Sequence, residues 1–261
     1  MKERGLGLIA VAAMVIIAAF LFFPRKANKV EELPPAPVAM PEPAPAPPAA
    51  EPAIKFPLPE TPAPVAKPLP TLEQSDGLVR EELAGVIGAD AVSKFVVAED
   101  LIRRIVSTVD NLPREKLALR LWPILPTADK FLVREGEGKT LLSPDNYPRY
   151  KPLLTVVAAV DAGKAAVFYQ HFYPLFQNAY RDLGYPSGYF NDRLVEVIDH
   201  LLAAPEITGP IELVRPAVYY KYADPALEKL SAGQKVFIRI GSENAKLLKV
   251  KLAEFRKQIA G

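Results

Sequence analysis

Apolar and polar positions change their spacing twice along this chain, and the changes divide it into three parts. The first is an unbroken apolar run, Leu6–Phe23, eighteen residues without a charge. As a helix it would be about 27 Å long at 1.5 Å per residue, close to the ~30 Å hydrocarbon core of a bilayer. It ends in bulky Phe20, Leu21, Phe22 and Phe23, where a signal-peptidase site needs small residues. An uncleaved anchor is therefore expected. The second part, Leu33–Pro70, holds fifteen prolines in thirty-eight residues, mixed with Ala, Glu and Val. Proline fixes φ and lacks an N–H, so neither helix nor sheet is expected here. Fully in polyproline II, the tract would reach about 118 Å.

From Glu73 onward the periodicity is mainly helical. Ser75 is placed to cap a helix with the stripe Leu78, Val79, Leu83, Val86 and Ile87, stopped by Gly88. Glu99–Val109 reads as a second helix, and Pro113 as the first residue of a third that ends near Trp122-Pro123. Lys130–Arg134 and Lys139–Leu142 flank Glu135-Gly136-Glu137-Gly138 and read as a β-hairpin. Ser143–Pro152 is loop-like and Leu153–Val160 helical. Asp161 opens a long helix to Leu183, kinked at Pro174 and stopped by Gly184. Tyr189–Ala203 is another helix, and Ile211–Tyr222 has strand character, with Pro216 arguing for an edge. Asp224-Pro225 opens a short helix, Lys235–Ile240 is expected as a second strand, and Ser242 as the cap of the last helix. Leu248, Leu252, Phe255 and Ile259 form that helix's apolar stripe.

The expected fold is mainly α (α+β). Residues 1–28 form an N-terminal transmembrane anchor and 29–72 a proline-rich disordered linker. Residues 73–261 form a mainly helical domain with a small β-hairpin or sheet element. The layout is expected to place a domain on a tether at an inner membrane, with the domain outside the cytoplasm. Lys2 and Arg4 before the span and Arg25, Lys26 and Lys29 after it leave the positive-inside rule undecided.

Composition narrows the chemistry. From Glu73 onward there are 25 basic and 24 acidic residues, so no basic patch argues for nucleic acid. Cysteine is absent, which excludes disulfides, thiol nucleophiles and thiolate metal sites. There is no G-x-S-x-G, P-loop or dinucleotide fingerprint, and no cofactor is expected. PEPAPAPP (Pro41–Pro48) lacks the well-placed basic residue of a ligand for proline-recognising domains.

Phe168–Leu202 is the densest stretch, with both histidines and nine aromatic residues. On Tyr189–Ala203, helical spacing puts Asp192, Arg193, Glu196, Asp199 and His200 in one arc of about 120°. Asp192 and Glu196 are like charges at i,i+4, and Glu196 and Asp199 at i,i+3, so a compensating cation is expected, from Arg193, from Arg181 or a partner's basic residue, or from a bound metal. Glu196, Asp199 and His200 are the candidates for acid–base chemistry of a hydrolase. Neither the di-iron nor the zinc-protease spacing occurs, so no metal is expected. His171 sits among aromatics and is expected to donate to a tyrosine hydroxyl or a carbonyl. Tyr185, Tyr189 and Phe190, with Asp192 and Arg193, are candidate binding residues, for a partner or a cell-wall glycan.

FYPLFQNAYRDLGYPSGYFNDRLVEVIDHLL (Phe172–Leu202), NYPRY (Asn146–Tyr150), VSTVDNLPR (Val106–Arg114) and SAGQKVFIRIGSEN (Ser231–Asn244) together resemble the bacterial DUF3014 proteins. The resemblance covers most of Ser75–Arg256. It implies a single-span envelope protein with an N-terminal anchor and brings no activity, ligand or catalytic residue. The expected function is a membrane-tethered structural or interaction module with an envelope protein partner. A periplasmic hydrolase and a glycan binder are the alternatives.

Overall fold

A computed structural model describes residues 53–59, 69–117, 119–127 and 130–260. The expected anchor, Leu6–Phe23, and most of the expected linker lie outside them. Nine helices and four short strands are formed within the described residues. The helices are α1 (Asp76–Ile87), α2 (Ala89–Phe95), α3 (Leu101–Asn111), α4 (Lys151–Ala159), α5 (Ala162–Asp182), α6 (Phe190–Leu202), α7 (Pro225–Glu228), α8 (Ala232–Ile240) and α9 (Ser242–Ile259). The strands are β1 (Val133–Gly136), β2 (Lys139–Leu142), β3 (Glu212–Val214) and β4 (Lys221–Tyr222). The fold is mainly helical with a small antiparallel sheet, as the periodicity implies.

The main core is helical. α9 packs against α4, α5, α6 and α8, and α3 packs against α5 and α6. Phe172, Phe190 and Phe255 meet here fully buried, and Tyr169 contacts Phe176, Phe190 and Phe255 ring to ring. The apolar stripe of α9, Leu248, Leu252, Phe255 and Ile259, is completely buried, as its spacing requires. Asp161 caps α5 by accepting from Lys164 N at 2.9 Å, and Gly184 (φ 113°) follows its end. Pro174 lies inside α5 without ending it.

The sheet runs β1-β2-β3-β4, every pair antiparallel. Glu137 (φ 51°) and Gly138 (φ 72°) turn the first hairpin, the two positive values that suit the twist of a two-residue connection. Leu142, Ile211, Leu213 and Tyr222 pack with Ile238 in a second, smaller core. Ile238 belongs to α8, so this helix joins the sheet to the helical body.

Four expectations change. Lys235–Ile240 is helix, not strand. Ser231 and Gln234 form a reciprocal capping box that fixes the start of α8. The helix is buried on both sides, with Val236, Phe237 and Ile240 in the main core and Ile238 in the small one, which hides its period. No helix starts at Pro113. The carbonyls of Leu112 and Arg114 instead accept from Gly233 N (2.9 Å) and Ala232 N (2.8 Å). Further on, Ile124 bridges Val96, which holds the chain extended before Pro126. Pro144–Tyr150, expected as loop, winds as a 3-10 helix capped by Ser143. Ser75 and Ser242 cap nothing through their side chains. Ser75 Oγ donates to Leu72 O at 2.8 Å, and Gly241 holds the cap position of α9.

Among the described residues no single helix is long and apolar enough to cross a membrane. Pro144–Ala159 and α5 pass together by length and composition, but they are bent by 84° and contribute Leu153, Leu154, Phe172 and Phe176 to the core.

Candidate functional site

The site grows from the start of α6. Tyr189 is the extended residue before it, and the first turn carries Asn191 and Asp192. One face of α6, with Phe190, Leu194, Val195, Val197, Ile198 and Leu201, is buried. The opposite side carries the acidic arc. Asp192 and Glu196 meet residues 53–59, from within the proline-rich tract.

This segment, Ala53-Ile54-Lys55-Phe56-Pro57-Leu58-Pro59, crosses the domain as a strap without helix or strand. Asp192 accepts its backbone with both carboxylate oxygens, from Lys55 N at 3.0 Å and Phe56 N at 2.7 Å. Glu196 pairs with the Lys55 ammonium at 2.9 Å. That is the compensating cation the spacing demands, delivered from 141 residues away. Tyr189 Oη accepts from Leu58 N at 3.3 Å. Asn191 donates from one amide nitrogen to Phe56 O and to Ile259 O, each at 2.8 Å, tying the strap to the end of α9. The Arg256 guanidinium lies 5.8 Å from the Phe56 ring centre, within cation–π range. Arg256 also pairs with Asp199, which raises the guanidinium's pKa, just as Glu196 raises that of Lys55.

Behind the strap lies a tyrosine layer. Tyr173 packs against Tyr189 with ring centres 5.5 Å apart, donates to Gln177 Oε1 at 2.9 Å and accepts from Asn191 N at 3.4 Å. Burial pushes the hydroxyls of Tyr169 and Tyr173 far above the ordinary tyrosine range, so both stay neutral. Gln177 in turn holds Phe190 N and Gly188 O, which fixes the turn into α6.

The candidate residues therefore separate. Tyr189 and Asp192 come together with Glu196 at the strap. Phe190 does not: only 1% exposed, it is a core residue and can touch no ligand, a correction to its place among the binding candidates. Tyr185 and Arg193 serve the buried Asp110. Arg193 Nε donates to Asp110 Oδ1 at 3.1 Å, Tyr185 Oη to Oδ2 at 3.3 Å, and Arg114 to Oδ2 at 2.5 Å. Glu196, Asp199 and His200 do not converge. Glu196 goes to Lys55, Asp199 to Arg256, and His200 Nε2 to Ser231 Oγ at 2.8 Å. Burial and then Arg193 lower the pKa of His200. His171, expected to find a tyrosine or carbonyl, faces Glu82 at 3.6 Å and the Phe172 ring instead. Among the described residues, no group of three His, Asp or Glu side chains is placed to hold a metal ion.

Sequence reasoning missed Asn191, Arg256 and the strap. Asn191 falls on the apolar side of the wheel, between Ile198 and Leu202, and is fully buried, so spacing alone reads it as a core position. The strap did carry a signal: Phe56 is the one aromatic residue of the whole tract Leu33–Pro70, and it follows a lysine.

The family model described as "Protein of unknown function (DUF3014)" matches residues 101–256, more than half of the chain. The chain belongs to DUF3014. No curated protein and no solved structure matches it. Gln170, Tyr189, Asn191, Asp192, Glu196 and Arg256, which contact the strap, all lie in the DUF3014 region, while the strap itself lies outside it.

Proposed function

We propose that this DUF3014 protein is a single-pass envelope protein that holds a protein-interaction domain away from the inner membrane on a proline-rich tether. The binding surface is the α6–α9 face of Tyr189, Asn191, Asp192, Glu196 and Arg256. One observation carries the reading: this face already grips an extended peptide segment through backbone, charge and ring at once. The partition of Glu196, Asp199 and His200 among three separate partners favours binding over hydrolysis, because acid–base catalysis needs those groups at one point. The Leu6–Phe23 run supplies the anchor in this reading.

In-cell photo-cross-linking tests it. A photoreactive residue replaces Lys257, which is exposed and next to Arg256, in the full-length protein. Reproducible capture of an envelope protein is expected. Capture of a cytoplasmic protein alone would invert the topology, and substrate turnover lost on Glu196→Gln or His200→Asn would replace the interaction module with an enzyme.

A further inference from the structure

The strap contacts divide into two kinds. Five of them read any extended chain: two backbone N–H groups into Asp192, one into Tyr189 Oη, one carbonyl on Asn191 and one on Gln170 Nε2. Two of them read side chains: an ammonium at Glu196 and an aromatic ring under Arg256. Leu58 adds an apolar contact with the main core. Read in order, the site recognises a lysine, an aromatic residue next to it and a leucine two residues further on.

The same strap is poorly built as a permanent part of the fold. None of its residues is buried, and Ile54 is 53% exposed. It adds no strand to the sheet, and no residue of the main core is reached except by the partly buried Phe56 and Leu58. Among its partners on α6, Asp192 and Glu196 lie on the outer face and Asn191 is buried, and none of them is one of the apolar residues that hold α6 to α5 and α9. A segment with these contacts is a weak ligand kept in place by covalent attachment, since a short connection raises its effective concentration to the millimolar range. Only nine residues, 60–68, separate the strap from Leu69, which again packs on the core.

The tract offers a second hint. Pro57-Leu58-Pro59 recurs as Pro68-Leu69-Pro70, and both leucines lie against the helical body.

We infer that the α6–α9 face is a peptide-binding site for an extended segment of another envelope protein, with a lysine followed by an aromatic residue and, two residues further on, a leucine, and that residues 53–59 occupy it as a displaceable self-ligand. This rests on the interaction-module reading and adds both its ligand and its regulation. A partner segment engages only by displacing the strap, so binding is coupled to release of the tether from the domain.

The test uses full-length protein in detergent and a fluorescent synthetic peptide of residues 53–59. With Lys55→Glu and Phe56→Ala together in the chain, the strap is weakened and the peptide is expected to bind at least ~10-fold more tightly than to the wild type. Adding Asp192→Asn to that variant is expected to lower its affinity ~10-fold or more, because both backbone contacts lose their charged acceptor. Unchanged melting temperatures show that each variant is folded. A folded strap variant that binds no better than the wild type would make the strap a fixed part of the domain and overturn the inference. So would equal binding of a scrambled peptide. Concentration-dependent dimers that vanish with Lys55→Glu would reassign the ligand to a second copy of this chain. Capture of an envelope protein at Lys257 alongside any of these failures would leave the interaction module standing and remove only the self-ligand.

Discussion

Asp192→Asn isolates the contact on which the strap depends most. The substitution keeps the shape, removes the charge and turns one acceptor oxygen into an NH₂ group that faces a backbone N–H. Asp192 now accepts from Lys55 N at 3.0 Å and from Phe56 N at 2.7 Å. A hydrogen bond to a charged acceptor contributes about 1.5–3 kcal/mol and a neutral one about 0.5–1.5. One bond is lost and the other weakened, which gives about 3 kcal/mol before screening. Because Asp192 is only half-buried, about 2 kcal/mol is the better figure. That shifts the balance between docked and free strap by roughly 30-fold. Amide hydrogen exchange on the full-length protein reads this directly. Pro57 and Pro59 have no amide hydrogen, and the amides of Lys55, Phe56 and Leu58 all donate into the site. Protection at these three amides is expected to fall together by roughly 30-fold, or to the unprotected rate, while the α6 amides keep theirs. If protection at all three survives the substitution, Asp192 does not hold the strap. If Lys55 and Phe56 lose it and Leu58 keeps it, the strap is not one cooperative unit.

Other outcomes follow from the same geometry. His200 has a lowered pKa in the fold, so as pH falls the unfolded chain takes up this proton first. Stability is then complete above the ordinary histidine value of 6.5 and declines below it, until the native imidazole also protonates; urea denaturation at pH 7.5 and 5.5 should show this, and His200→Asn should reduce the difference. Gly233→Ala would place a Cβ 2.5 Å from Leu201 Cδ2 and 3.0 Å from the Leu112 carbonyl oxygen. A loss of about 1–3 kcal/mol is expected, a fall of several degrees in melting temperature. Asp110→Ala strips the buried carboxylate from Arg193 and Arg114 and is expected to cost about 3–5 kcal/mol in chemical denaturation. Asp199→Asn, at an exposed pair with Arg256, should cost under about 1 kcal/mol by the same measurement.

The helices were legible wherever one face stays wet. α1, α3, α5, α6 and α9 each keep a polar side, so their apolar stripes repeat at helical spacing and their ends carry Gly88, Asp161 or Gly184. α8 was not legible because both its sides are buried, one by each core, and a β-branched run with no wet face looks like a strand. The region after Pro113 was misread for a different reason: local preference favoured a helix, but distant backbone groups of Ala232 and Gly233 claim its carbonyls. The site was half legible. The repulsion between Asp192 and Glu196 announced a missing cation, and spacing placed both correctly. Which lysine would answer could not be read from α6, because pairing across more than a hundred residues leaves no periodic trace.

The strap also decides where force enters the molecule. A pull on the chain from the side of Ala53 arrives first at Asp192, Asn191 and Glu196, and not at α1. These contacts are few and polar, whereas α6 is fastened to the body by a fully buried face. The strap is therefore expected to yield to such a pull before α6 does. Load then passes along residues 60–68 to Leu69, and the yielded strap leaves an emptied face on an intact domain. In the tethered reading proposed above, tension would be registered as the uncovering of the α6–α9 face.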